Sequence, residues 1–169
     1  MSLLYLEDLT AGQRFSAGPV SLDAASIRAF AAQFDPQLFH LDETAAKSSL
    51  FTGLVASGWH TASLTMRMLV EGLPFAGGTI GTRAELRWPA PVHPGDELRM
   101  EAEVVDARAS ARRPDFGVVR LSVQTRNQNG VLVMEMTTLV LVHRRPETEA
   151  VAVAASPTPA YAKALQPVK

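Results

Sequence analysis

Leu54-Val55-Ala56-Ser57-Gly58-Trp59-His60-Thr61-Ala62-Ser63-Leu64-Thr65-Met66-Arg67-Met68-Leu69-Val70 is the stretch that decides the fold. Ser57 is a candidate N-cap, and the thirteen residues from Gly58 to Val70 hold no proline, so one helix can run through them. Its apolar residues, Ala62, Leu64, Met66, Met68, Leu69 and Val70, fall on more than one side, and Arg67 is the only charge before Glu71. A helix of this kind wants to be surrounded rather than laid on a surface. Gly72, Pro74, Gly77 and Gly78 then end it.

What surrounds it lies downstream, where the period changes from helical to two. Leu98, Met100, Ala102 and Val104 alternate with Glu97, Arg99, Glu101 and Glu103, the pattern of a half-exposed strand. Thr82 to Trp88 reads as a strand before it, separated by Pro89, Pro91, Pro94 and Gly95. Gly117 to Arg126 follows, with Val119, Leu121, Val123 and Thr125 on one face, and Asn127-Gln128-Asn129-Gly130 is a hairpin turn into a last strand, Val131 to Val142. That strand is apolar on both faces towards its end, which suits a central strand or a subunit contact. Upstream, Ser21 is read as an N-cap with Asp23 in the first turn, ahead of the stripe Ile27, Phe30, Ala31 and Phe34, and Pro36 ends that helix near Asp35. Asp42 caps a short helix through Lys47. The order is helices first, then at least four strands, giving an α+β fold in which a curled antiparallel sheet wraps one long helix.

Composition narrows the function. The 169 residues suit one domain over residues 1–145, and the Pro- and Ala-rich stretch 146–169 reads as a loose tail. Sixteen basic against seventeen acidic residues leave a formal charge of -1, no footprint for nucleic acid or an anionic membrane. Without cysteine there is no disulfide framework, zinc-thiolate site or cysteine nucleophile. The N-terminus has no basic region and soon meets Glu7 and Asp8, and no apolar run reaches membrane-span length, so a cytoplasmic protein is expected.

Two places could carry chemistry. Asp35 and His40 flank a proline-containing turn and can converge on one water as acid and base; spacing alone favours the plainer reading of a turn cap and a packed or exposed histidine. Gly58 opens the long helix, where free amides carry partial positive charge and would stabilise an oxygen gaining negative charge; alternatively, it is a glycine needed for tight packing. His60 is expected to be satisfied inside its helical turn, His93 and His143 to lie on the surface, and Arg83, Glu85 and Arg87 to form a solvated face rather than a phosphate site. A metal site from His40, Asp42 and His60 is disfavoured for want of ligand spacing.

Around these residues the chain resembles a known family. Asp35 followed by His40 and Leu41-Asp42, the short Ala-rich helix, Phe51, Val55-Ala56-Ser57-Gly58, and then Glu85-Leu86-Arg87-Trp88 and Pro91-Val92-His93-Pro94-Gly95-Asp96 resemble the MaoC-like dehydratases and (R)-specific enoyl-CoA hydratases over roughly Leu9 to Val142. The resemblance implies a hot-dog fold, normally paired as a homodimer or higher even oligomer. It implies Asp35 and His40 as the catalytic pair, the Gly58 amide as receiver of the thioester carbonyl, an acyl-CoA substrate, and no metal or nicotinamide cofactor. Gln37-Leu38 stands where the family usually has Asn-Pro, Ser57 where it has His, and Met66 where studied hydratases tend to have a serine. The expected pocket is lined by Phe51, Ser57, Thr65 and Met66. The expected reaction is addition of water to a 2-enoyl thioester, with a hot-dog thioesterase or a non-catalytic acyl-binding domain as the alternatives.

Overall fold

The computed structural model describes residues 2–146. Most of the expected 146–169 tail therefore lies outside the described residues. The elements run β1 (Arg14–Ser21), α1 (Ala24–Phe34), α2 (Leu38–Leu41), α3 (Glu43–Lys47), α4 (Gly58–Gly72), β2 (Ile80–Arg87), β3 (Glu97–Ala109), β4 (Phe116–Arg126) and β5 (Leu132–His143). All pairings in the five-stranded sheet, ordered β1-β3-β4-β5-β2, are antiparallel. The period-two pattern has its expected result: Leu98, Met100, Ala102 and Val104 of β3 and Val119, Leu121, Val123 and Thr125 of β4 all point into the core. β5 lies between β4 and β2, an interior strand of the sheet, as its apolar run led one to expect. Among the described residues no helix is long and apolar enough to cross a membrane.

Two readings of the N-terminal part need correction. A strand precedes the helices: β1 pairs with β3, but its alternation is broken by a register shift between Ala17 and Val20, across Gly18 and Pro19, so no period of two shows in the sequence. Ser21 belongs to that strand, opposite Glu97, and the cap of α1 is Asp23, which accepts from the Ser26 N–H at 2.7 Å. The intervening Leu22 is buried, its backbone tied to Gly95 and Asp96, so the helix starts two residues later than a cap at Ser21 would have it.

α4 packs across β1 and β3 through Met68 and Leu69, with Thr61 and Thr65 also buried. It is not enclosed all round within one chain. Trp59 and Val70, each 59% exposed, and Met66 at 47% leave its other side open. The fully buried side of α4 therefore holds fewer apolar residues than the sequence led one to expect, and two threonines sit on it instead. Thr65 Oγ1 meets Thr125 Oγ1 at 2.8 Å, so the buried hydroxyls satisfy each other across the helix–sheet contact.

Candidate active site

The site forms where α1 ends and α4 begins. Asp35 is the C-cap of α1, its N–H still bonded to the Ala31 carbonyl, and Pro36 turns the chain away at once. His40 sits on the single turn α2 and is buried, rather than lying on an open loop. Its Nδ1 lies 2.8 Å from the Val55 carbonyl. A carbonyl only accepts, so Nδ1 carries the proton and Nε2 is left to exchange one. Nε2 is 3.3 Å from Asp35 Oδ2.

Asp35 is held from three directions. The Ser57 hydroxyl donates to Oδ2 at 2.6 Å, the Gln37 amide donates to Oδ1 at 2.8 Å, and His40 faces Oδ2. These bonds, that of Ser57 first, hold the carboxyl below its ordinary pKa of 3.8, against a burial that pushes the other way. Asp35 is thus a carboxylate at neutral pH. Ser57 also caps α4, its oxygen accepting from the Trp59 N–H at 3.2 Å. One buried hydroxyl joins the carboxylate to the N-terminus of the long helix. Ser57 therefore serves the chain by orienting Asp35, a role different from the substrate contact expected of it.

Next to it, the Gly58 N–H has no acceptor among the described residues. Gly58, Asp35 and His40 all line one open cleft of about 770 Å³. Its walls are largely apolar: they include Phe39 and Phe51, with ring centroids 5.2 Å apart, and Trp59 and Trp88, 5.5 Å apart and edge to face. Leu50, 91% exposed, stands at the rim. Such a cleft, apolar with a few convergent polar groups, is the usual form of a small-molecule site.

The structure brings Asp35, His40, Phe51, Ser57 and Gly58 together, but three expected pocket residues do not line the cleft, Ser57 being fully buried behind Asp35. Thr65 is buried against Thr125, and Met66 lies on the open side of α4; neither lines the cleft. The reason is helix rise: seven or eight residues at about 1.5 Å each carry them two turns away from Gly58. His93 is exposed, as expected of it. It also lines the cleft, with Nδ1 3.2 Å from the Leu54 carbonyl. His60 is stacked flat on Phe30 at 4.6 Å with no partner for Nδ1 among the described residues, so it is packed but not satisfied there. His143 is half-buried beside Phe116. Arg87 faces Glu135 across the strand pair, in keeping with a solvated charged face. Among the described residues no group of three or more His, Asp or Glu side chains is placed to hold a metal.

The reading of single residues gave no role to Trp88, Phe39 or Gln37. Trp88 carried a usable signal, a large aromatic with a polar edge at the end of a strand and before a proline.

Comparison with known proteins agrees with this geometry. Residues 8–127 match the family described as the MaoC like domain. YdeM, an uncharacterized protein of Bacillus subtilis, is 33% identical over 142 residues, covering 82% of this chain and 99% of that one. The crystal structure of a MaoC-like dehydratase from Rhodospirillum rubrum is 53% identical with a TM-score of 0.82, covering 85% and 99% of the two chains. The unliganded (R)-hydratase PhaJ1 from Pseudomonas aeruginosa is 26% identical with a TM-score of 0.70, covering 92% and 95%. The curled sheet and long helix are the hot-dog fold of these hydratases, and the chain belongs to the MaoC-like dehydratase family.

Proposed function

We propose that this protein is a hydro-lyase that adds water reversibly across the 2,3 double bond of an enoyl thioester, with the enoyl-CoA as the form it takes. The observation that carries the reading is the convergence of Asp35 Oδ2 and His40 Nε2, 3.3 Å apart, on a cleft that also presents the unpaired Gly58 amide. Hydration needs a group to take a proton from water as its oxygen bonds to the β-carbon, and a group to return a proton to the α-carbon. The carboxylate and the imidazole share these two steps. Between them the thioester oxygen gains enolate charge, which a fixed N–H at a helix N-terminus stabilises. Phe39 and Phe51 supply the apolar wall for the acyl chain, and holding the water against the bound alkene adds the advantage of orientation. No oxidation state changes, so no nicotinamide enters the scheme, and as proposed it runs without a metal.

A screen of 2-enoyl-CoA esters of increasing chain length, followed by loss of the conjugated absorbance, tests this. Release of free thiol without loss of the alkene would instead identify a thioesterase, and binding without turnover an acyl-binding domain. We propose further that the chain acts in the cytoplasm as a homodimer or higher even oligomer. β2 is a sheet edge whose residues are nearly all exposed, and Trp59, Met66 and Val70 form an open apolar side of α4. Light scattering is expected to give twice the chain mass or a larger even multiple, and a monodisperse monomer would overturn it.

A further inference from the structure

The helix terminus at Gly58 is gripped by a residue outside the catalytic loop. Trp88 follows directly on β2, whose last residue, Arg87, is paired with Glu135 of β5, so its backbone is anchored to the sheet. From there the indole Nε1–H donates to the Gly58 carbonyl at 2.9 Å. The face of the same ring lies against the Gly58 α-carbon: a β-carbon built there would stand 3.0 Å from Cε2 and 3.2 Å from Cδ2 and Nε1. Trp59, the next residue of the helix, meets Trp88 edge to face. The ring is 41% exposed and lines the cleft beside Gly58.

A glycine at the first position of a helix has the backbone freedom to let its N–H swing. A donor stabilises developing charge best when it is already aimed and need not reorganise. The indole removes that freedom at two points, holding the carbonyl by a hydrogen bond and the α-carbon by contact. We propose that Trp88 is the positioning residue for the Gly58 amide, and that its ring is the reason position 58 must be glycine. This rests on the hydratase reading given above, in which the Gly58 amide receives the thioester oxygen.

The inference has a signature that simple packing does not. Trp88→Phe keeps an aromatic ring but removes the donor; it is expected to lower kcat about tenfold while KM stays within about twofold, because ground-state binding is retained. Gly58→Ala keeps the amide and adds only a methyl group against the ring, and it is expected to lose activity at least as severely. In the Trp88→Ala background the same methyl has room, so the double variant should be no worse than Trp88→Ala alone. Urea unfolding of each variant shows that the chains compared are folded. Wild-type kcat and KM in Trp88→Phe, or losses in Gly58→Ala and Trp88→Ala that simply multiply, would overturn the proposal.

The chain has only two tryptophans, so the two indole N–H resonances can be followed separately from turnover. Gly58→Ala should displace the Trp88 signal, and titration with butyryl-CoA, a saturated thioester that cannot be hydrated, should shift it in the wild type. If no enoyl thioester is turned over and both shifts appear, the hydratase reading fails and the grip of Trp88 on Gly58 stands. A Trp88 signal indifferent to Gly58→Ala defeats the inference whatever the activity.

Discussion

The two ends of α4 both carry a hemmed-in glycine, with different neighbours. At the C-terminal end, a β-carbon on Gly72 would stand 2.9 Å from Ala17 Cβ and 3.3 Å from the Ser16 carbonyl, atoms fixed in β1. At the N-terminal end, Gly58 meets the face of one side chain, Trp88. The first glycine lets a helix lie close on a sheet. The second lies beside a carboxylate, an imidazole and an unpaired amide that the cleft exposes. Close approach thus serves cohesion at one end of the helix and, on the proposed reading, chemistry at the other. Substitutions near Ser57 should separate from those near Gly72 in what they damage.

The strongest way to break this division is at the catalytic pair. Asp35→Asn and His40→Ala are each expected to lower the hydration rate by about 10² or more in chains that still fold, with a stability loss of about 1–3 kcal/mol from the buried hydrogen bonds left unmade. Steady-state rates on a good enoyl-CoA beside urea titrations would decide it. Wild-type turnover in both variants would reassign the pair to a structural role and favour an acyl-binding domain.

Next in size is the opposite result at the other end. Met68, fully buried near Gly18 and the core strands, should cost about 2–5 kcal/mol of stability as Met68→Ala, with kcat nearly unchanged for the fraction that remains folded. Gly72→Ala should be milder. The methyl group overpacks β1 at about 1–3 kcal/mol, and the better helix propensity of alanine offsets about 1 kcal/mol of it. If Gly72→Ala instead reduced kcat with stability intact, the helix would be transmitting strain to the cleft and its ends would not be separable.

The sequence made the two ends legible to different degrees. β3 and β4 read clearly because one face of each is buried and the other solvated, so alternation survives in the residues themselves. β1 was hidden because the irregularity at Gly18 and Pro19 breaks the same signal. The span of α4 was legible, and so was its cap at Ser57, since a serine before a proline-free run has a local mechanism. Which side of it would be buried was not, because Thr61 and Thr65 are polar by residue type and become core only through contacts with the sheet, as Thr65 does with Thr125. In the site, the resemblance pointed to Asp35, His40 and Gly58 by their place in a motif. The part played by Gln37, Val55 and Trp88 depends on contacts between segments 2 to 30 residues apart, which no spacing rule encodes.

The smallest expected effect sharpens the comparison within a single helical turn. His60 follows Ser57 by three residues yet faces away from the cleft, its ring parallel to Phe30 and its Nδ1 without a partner among the described residues. Burial lowers its pKa from the ordinary 6.5, since nothing beside it repays the loss of water around an imidazolium. In the unfolded chain the imidazole takes a proton near its ordinary value, and in the fold it does so only at lower pH. The unfolded state therefore binds more protons as pH falls below about 6.5, and stability is fully present above that value and lost below it. Asp35 acts lower on the scale: its depressed pKa contributes stability that is present above the ordinary 3.8 and is lost as pH falls through the folded value. The window from pH 7.5 to 5.5 is consequently that of His60 and not of Asp35. His60→Phe keeps an aromatic ring on Phe30 and removes the titration, so denaturation midpoints that decline in the wild type across this window should flatten in the variant, with little change at pH 7.5. An unchanged decline would mean that His60 is protonated in the fold at no cost, and that this turn of α4 is open to water on both sides rather than only at the cleft.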